Sequence, residues 1–178
     1  MGYVEIGLRA LFVTVFAASF VSKTGGFDAF AGSVRGMVPA AGQLARPIAW
    51  VVFAFEAAVC LLLVLPAHTT AATGFLLAST LLLTFTLGIA ATLRRGARVP
   101  CRCFGDTSTP VGPIHLVRNL LLVVVALAGA GATTAAERQL PIPVMLLCAA
   151  AGVLLGAIVI ELDAIVRLFR PVRVPSKT

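Results

Sequence analysis

The segment Thr70–Leu93, TAATGFLLASTLLLTFTLGIAATL, runs for 24 residues without a charged side chain. At 1.5 Å per residue, a helix of that length crosses a hydrocarbon core of roughly 30 Å. Four further apolar segments of similar length are Tyr3–Val21, Pro47–Leu65, Leu116–Ala135 and Ile142–Ile160. The sequence therefore predicts an all-α, polytopic membrane protein with five transmembrane helices.

The composition favours the same class. Of the 178 residues, 60% are hydrophobic and 12% are charged, whereas a soluble domain keeps about a quarter of its residues charged. The net charge of +7 comes from basic residues at the ends of apolar segments, which is typical of membrane anchoring rather than of nucleic-acid binding. We expect one integral membrane domain over 1–178, with a four-helix core at about 4–135, an added helix at about 142–160, and a basic tail at 161–178 that favours an anionic leaflet.

Three shorter patterns refine this architecture. Apolar residues recur at helical spacing in Phe27–Pro39, which predicts a short amphipathic helix lying on the bundle or at the membrane interface. Gly152 and Gly156 have the spacing of small residues in close helix contacts, which we interpret as packing. The first segment also resembles a signal peptide, but Glu5 and Arg9 cancel in the region that should be basic, so we favour an uncleaved helix.

The distribution of charge predicts the orientation. With five crossings, one side of the membrane carries twelve basic residues and the other carries only Arg9 and Arg138. The positive-inside rule then places the amino terminus outside and the loop around Cys101 on the cytoplasmic side of the plasma membrane. The twelve are Lys23, Arg35, Arg46, Arg94, Arg95, Arg98, Arg102, Arg118, Arg167, Arg170, Arg173 and Lys177.

The strongest chemical signal is Cys101-Arg102-Cys103-Phe104-Gly105 in that loop. Nearby arginines favour the reactive thiolate, and a disulfide between cysteines one residue apart closes a strained, labile ring. We interpret the pair as a redox-active dithiol. Two alternatives are half of a zinc site, which His115 alone lies near enough to assist, and a loop with inert cysteines. Cys60 and Cys148 lie within apolar segments, where a free cysteine usually packs as a small hydrophobe.

Glu56 stands in the middle of an apolar segment, where an ionisable group is unfavourable unless it is paired or functional. An ion pair within the bundle and a role in proton relay are equally consistent with this position. Lys23 and Arg118 lie at helix ends, where snorkelling to the interface is expected. Arg118 also opens its helix, where the dipole disfavours a cation, so it is a candidate partner for a thiolate or for Glu56, with Asn119 beside it as a hydrogen-bond partner.

Taken together, these residues resemble the MauE family, within the broader DoxX-like group of redox-associated membrane proteins. The resemblance covers about residues 4–135 and departs at Arg102, where a small residue is expected. It implies a four-helix membrane core and a role in methylamine utilisation, namely maturation of the disulfide-rich small subunit of methylamine dehydrogenase beside a thioredoxin-like partner. It further implies that Cys101 and Cys103 form the redox centre, surrounded by Lys23, Glu56, Arg118 and Asn119.

The sequence thus predicts a membrane protein that exchanges thiols and disulfides with a thioredoxin-like or disulfide-containing partner. No cofactor motif and no complete metal-ligand set is evident in the sequence, and a quinone acceptor is conjecture. One alternative is a non-catalytic assembly factor, in which both cysteines are replaceable. The least favoured alternative is a small transporter, in which Glu56 is the discriminating residue.

Overall fold

The computed structural model describes residues 2–97, 112–133 and 141–168. Within these ranges the regular structure is helical, which confirms the all-α prediction. The helices are α1 (Gly2–Thr24), α2 (Phe27–Met37), α3 (Ala45–Val64), α4 (His68–Arg94), α5 (Pro113–Ala132) and α6 (Ile142–Leu168), with a 3₁₀ segment at Pro39–Leu44 before α3. In the described ranges, five helices (all but α2) are long and apolar enough to cross a membrane, as predicted.

Four of these helices form a bundle. α1 and α4 each pack against both α3 and α5, so α1 lies diagonally opposite α4, and α3 lies opposite α5. The rings of Phe12 and Phe75 meet edge to face across the α1–α4 diagonal, with 5.7 Å between their centroids. A Cβ atom on Gly129 would lie 2.9 Å from the Phe75 ring, and one on Gly74 would lie 2.9 Å from the Leu63 side chain. We call Phe12, Leu63, Phe75 and Gly129 the central layer of the bundle.

The amphipathic helix predicted at Phe27–Pro39 is α2, which ends at Met37. Phe30, Ala31 and Met37 are buried against the bundle, while Asp28 and Arg35 are exposed. Pro39 lacks a backbone N–H and begins the 3₁₀ segment, where Gly42 turns the chain with a φ of +48°. α2 therefore lies across α3 and α4 at one end of the bundle.

α6 is added to the bundle mainly through α1, with a smaller contact to α5. A Cβ atom on Gly152 would overlap the carbonyl oxygen of Gly7, and one on Gly156 would lie 2.9 Å from the Cβ of Thr14. These glycines let the two backbones approach closely, which bears out their interpretation as packing residues. α6 also continues to Leu168, eight residues beyond the end of the apolar segment.

Gly152→Val is expected to destabilise the protein by about 1–3 kcal/mol, because a side chain at this position overlaps the backbone of α1. Thermal unfolding in detergent measures the change. Gly32→Ala is the matched control, since a Cβ there meets nothing within 4 Å. Equal melting temperatures for the two variants would show that α6 does not depend on this contact.

Candidate functional site

The predicted redox cysteines, Cys101 and Cys103, lie outside the described residues. The structure describes the chain on both sides of them. α4 ends in a Schellman motif, in which Gly96 has a φ of +65° and its N–H donates to the Leu93 carbonyl at 3.0 Å. The chain re-enters helix at Pro113. Since α4 and α5 are antiparallel neighbours, the cysteine segment leaves from and returns to one end of the bundle.

At that end, Lys23 and Glu56 form a buried ion pair. The Lys23 ammonium donates to Glu56 Oε1 at 2.8 Å and to Ser19 Oγ at 2.6 Å, and Ser19 Oγ donates to the same carboxylate oxygen at 2.9 Å. The Lys23 side chain is 1% exposed and that of Glu56 is 0% exposed. The ammonium also lies 4.7 Å from the centroid of the Phe30 ring. Glu56 is thus paired within the bundle, as one of its two interpretations predicted.

The expectation that Lys23 snorkels to the interface is wrong. A lysine at a helix end reaches toward water only when nothing inside compensates its charge. Here the side chain turns back along α1 by one turn, because Ser19 and Glu56 together satisfy the ammonium. Sequence reasoning missed Ser19, although its position four residues before Lys23 places both on one helix face.

The helix register brings two further polar residues to the level of Lys23 in the bundle. Phe12, Phe75 and Gly129 meet in the central layer, and eleven residues along an α-helix cover about 16 Å and about three turns. We count eleven residues from the central layer toward the end where the cysteine segment joins the bundle, which is forward along α1 and α4 and backward along α5. The residues reached in this way face the same axis at a common level. They are Lys23, Thr86 and Arg118, and all three are buried.

Glu56 belongs to the same part of the bundle interior. It lies seven residues from Leu63, and Ser19 lies seven residues from Phe12, which is about 10 Å from the central layer in both helices. Beyond that level the buried interior is rich in polar side chains, whereas the central layer is apolar. We call these residues the polar end of the bundle: Ser19, Lys23, Glu56, Thr86, Thr92, His115, Arg118 and Asn119.

α5 contributes His115, Arg118 and Asn119 to the polar end. The expectation that Arg118 opens its helix is wrong, because α5 begins at Pro113 and Arg118 lies in its second turn. The dipole effect fades within the first turn, so it gives no reason for the position of Arg118.

Two buried polar groups of the polar end have hydrogen-bonding capacity to spare. Within the described part of the chain, neither side-chain polar atom of Asn119 has a hydrogen-bond partner, and the same holds for Glu56 Oε2. Both residues are 0% exposed. Unsatisfied buried groups of this kind usually mark a site for water or for a polar ligand.

The chain is similar in sequence to known proteins. A sequence profile described as "Methylamine utilisation protein MauE" matches residues 1–132. The chain belongs to the MauE family. A relative from Paracoccus denitrificans, "Methylamine utilization protein MauE", is 34% identical over 153 residues, covering 84% of this chain and 78% of the relative. No solved structure matches the chain.

The MauE match covers α1 to α5 and therefore contains the whole polar end and the Cys101/Cys103 pair. α6 begins ten residues after the matched range. Five membrane-spanning helices and membership of the MauE family identify a multi-pass membrane protein. The resemblance inferred from sequence is confirmed.

Two other cysteines of this MauE-family chain are free thiols. Cys60 on α3 and Cys148 on α6 are both half-buried, and Cys60 packs against the hydrophobic core. This agrees with the interpretation of Cys60 as a small packing residue, while that of Cys148 stays a prediction. Cys60 lies one turn after Glu56 along α3.

A second polar cluster, missed in the sequence, lies at the opposite end of the bundle. The Arg9 guanidinium bonds the Glu5 carboxylate at 2.5 Å and donates to the Leu65 carbonyl, just past the end of α3, at 2.7 Å. His68 Nδ1 lies 3.5 Å from the same carboxylate. Arg9 thereby binds a terminal carbonyl of α3, which has no partner within its own helix. The spacing of Glu5 and Arg9 by four residues was the available signal.

Proposed function

We propose that this MauE-family protein exchanges thiols and disulfides in the plasma membrane through Cys101 and Cys103. The observation that supports this most is the polar end of the bundle, with its buried ion pair Lys23–Glu56, at the end where residues 98–111 join α4 to α5. Buried ionisable groups within a membrane are usually functional. Positive charge near a dithiol stabilises its thiolate, and the polar end contains two buried cationic side chains, Lys23 and Arg118.

In the proposed reaction, a partner thiolate attacks one sulfur of the Cys101–Cys103 disulfide. That S–S bond breaks, and the other cysteine leaves as a thiolate, which takes up a proton. The second thiolate of the partner then attacks the mixed disulfide and releases the first cysteine. The partner is oxidised by two electrons, and the Cys101/Cys103 pair is reduced by two.

The pair is then regenerated. A quinone, as the proposed acceptor class, takes two electrons and two protons from the two thiols and becomes a quinol as the disulfide closes. The proposed partner is a thioredoxin-like or disulfide-containing protein. By the family's printed description its setting is methylamine utilisation, with maturation of the dehydrogenase small subunit as the specific task. The charge distribution favours a cytoplasmic position for the cysteine segment and an outer amino terminus.

The test is thiol labelling in intact cells, in a Cys60→Ser/Cys148→Ser background that leaves the pair as the only cysteines. Membrane-permeant and impermeant maleimides are compared with and without prior reduction. We expect both thiols to label only after reduction. We also expect single Cys101→Ser or Cys103→Ser variants to accumulate a mixed disulfide with a partner. The contrast between the two maleimides reports the side of the membrane.

Free labelling without reduction, with no mixed disulfide in either single variant, would contradict the exchange reaction. If the double Cys101→Ser/Cys103→Ser variant also kept full function, the protein would be an assembly factor. The Cys60→Ser/Cys148→Ser background without further change is the matched control. Both positions lie within helices, and neither substitution is expected to change the redox state of a partner.

A further inference from the structure

A groove on the outer surface lies between α2, α3 and α4. Its volume is about 530 Å³, a figure that includes the space at its open side. Phe30 and Met37 of α2 are buried in its floor, and the exposed Ile48 opens it to the outside. Val52 of α3 and Phe85 of α4 form the sides. α2 contacts both α3 and α4, and the side chains of the three helices leave this space unfilled.

The surface of the groove is chemically uniform. The two hydroxyls that line it, those of Ser33 and Thr84, already donate to the carbonyls one turn earlier, at 3.1 and 2.8 Å. The remaining described lining consists of apolar side chains. A ligand in this groove therefore presents an apolar chain, and a polar head group has no partner there.

The rim of the groove is basic. The Arg95 guanidinium donates to the carbonyl oxygen of Met37, a groove residue. Arg35 follows the groove residue Val34, is exposed, and donates to the Gly42 carbonyl at 3.2 Å. The segments 27–38 and 84–97, which contain α2 and the last turns of α4, carry three arginines and one acidic residue, Asp28. An anionic head group is the complement of this rim.

We propose that an anionic phospholipid binds here, with one acyl chain in the groove and its phosphate between Arg95 and Arg35. Basic pockets between transmembrane helices commonly hold such head groups. The site is independent of the proposed thiol chemistry, because none of its residues belongs to the cysteine segment. A lipid bound here would cover the part of α2 that lines the groove and that α3 and α4 do not cover.

The test uses the full-length protein, purified in detergent and stripped of lipid. Native mass spectrometry measures retention of phosphatidylglycerol against phosphatidylcholine with identical chains. We expect preferential retention of phosphatidylglycerol. Arg95→Gln is expected to reduce that retention about fivefold, the usual effect of one arginine near an anionic head group. Arg46→Gln is the matched control, since Arg46 is exposed and pairs with Asp28 at 3.2 Å.

Filling the groove separates chain binding from head-group binding. Val52→Phe is expected to abolish retention of both lipids, and Ile48→Phe is the second variant if the first does not fold. Equal retention of the two lipids would overturn the proposal. Unchanged retention in a folded groove-filling variant would also overturn it, as would co-purification of a prenylated quinone in place of phospholipid.

Discussion

Lys23→Met is expected to destabilise the protein by about 3–5 kcal/mol, the usual result of removing one partner from a buried ion pair. The Glu56 carboxylate is fully buried and accepts hydrogen bonds from Lys23 and Ser19 on Oε1. Without the ammonium, a negative charge remains inside a membrane-spanning bundle with one hydroxyl donor. Thermal unfolding in detergent, followed by size-exclusion chromatography of the heated sample, measures the loss.

A double variant shows whether the loss comes from the abandoned charge. Lys23→Met/Glu56→Met removes both charges and is expected to recover most of the stability, because apolar replacements of a buried pair are often neutral or stabilising. Arg46→Met is the control, since its pair with Asp28 is exposed and such pairs contribute about 0–1 kcal/mol. A Lys23→Met variant as stable as Arg46→Met would disprove the assigned role of the pair.

The same double variant tests the chemistry. If the pair supports thiol exchange, the stable double variant still shows altered labelling kinetics of Cys101 and Cys103. If the pair only holds α1 against α3, the double variant recovers both the stability and the labelling kinetics of the protein without these substitutions.

Asn119→Leu is expected to change stability and thiol exchange in opposite directions. The amide is fully buried, and in the described part of the chain neither of its polar atoms has a hydrogen-bond partner. Such a group is unfavourable by about 1–3 kcal/mol, so an apolar side chain of similar size raises the melting temperature. We expect slower exchange at Cys101 and Cys103, because the polar end loses a group that can bind water or a reacting partner.

Thr86→Val is the matched control for this prediction. Its hydroxyl is buried at the same level of the bundle but bonds the Leu82 carbonyl of its own helix at 2.7 Å. We expect little change in either stability or exchange. A less stable Asn119→Leu protein would show that the amide has a structural partner, and an unchanged exchange rate would remove it from the proposed mechanism.

The helices were predictable because a charge-free run of about twenty residues has few alternatives to a transmembrane helix. Their ends were less so. α5 begins at Pro113 instead of Leu116, because proline is favoured in the first turn of a helix although it is only weakly apolar. α6 passes through Glu161 to Leu168, since the helical backbone does not end where the apolar segment ends.

The residues of the site were predictable one by one, but their pairing was not. Glu56 was recognisable because an acid in an apolar segment needs an explanation. Its partner lies 33 residues away, and only the adjacency of α1 and α3 brings the two together. Lys23 alone was indistinguishable from an interfacial anchor. Asn119 was expected to be a hydrogen-bond partner beside Arg118, and this is wrong, because neither polar atom of its buried amide has a partner in the described part of the chain.

The separation of Lys23 and Glu56 along the chain affects how the protein is inserted during synthesis. α1 leaves the translocon before α3 has been made, and a lone lysine near the middle of a helix disfavours insertion by roughly 2.5–3.5 kcal/mol. Lys23 lies at the very end of α1, so we expect its ammonium to reach the lipid head groups during that interval. We expect the charge to move inward when α3 joins α1 and supplies Glu56. An order of assembly, in which α1 completes its insertion as α3 joins it, would follow from this pair.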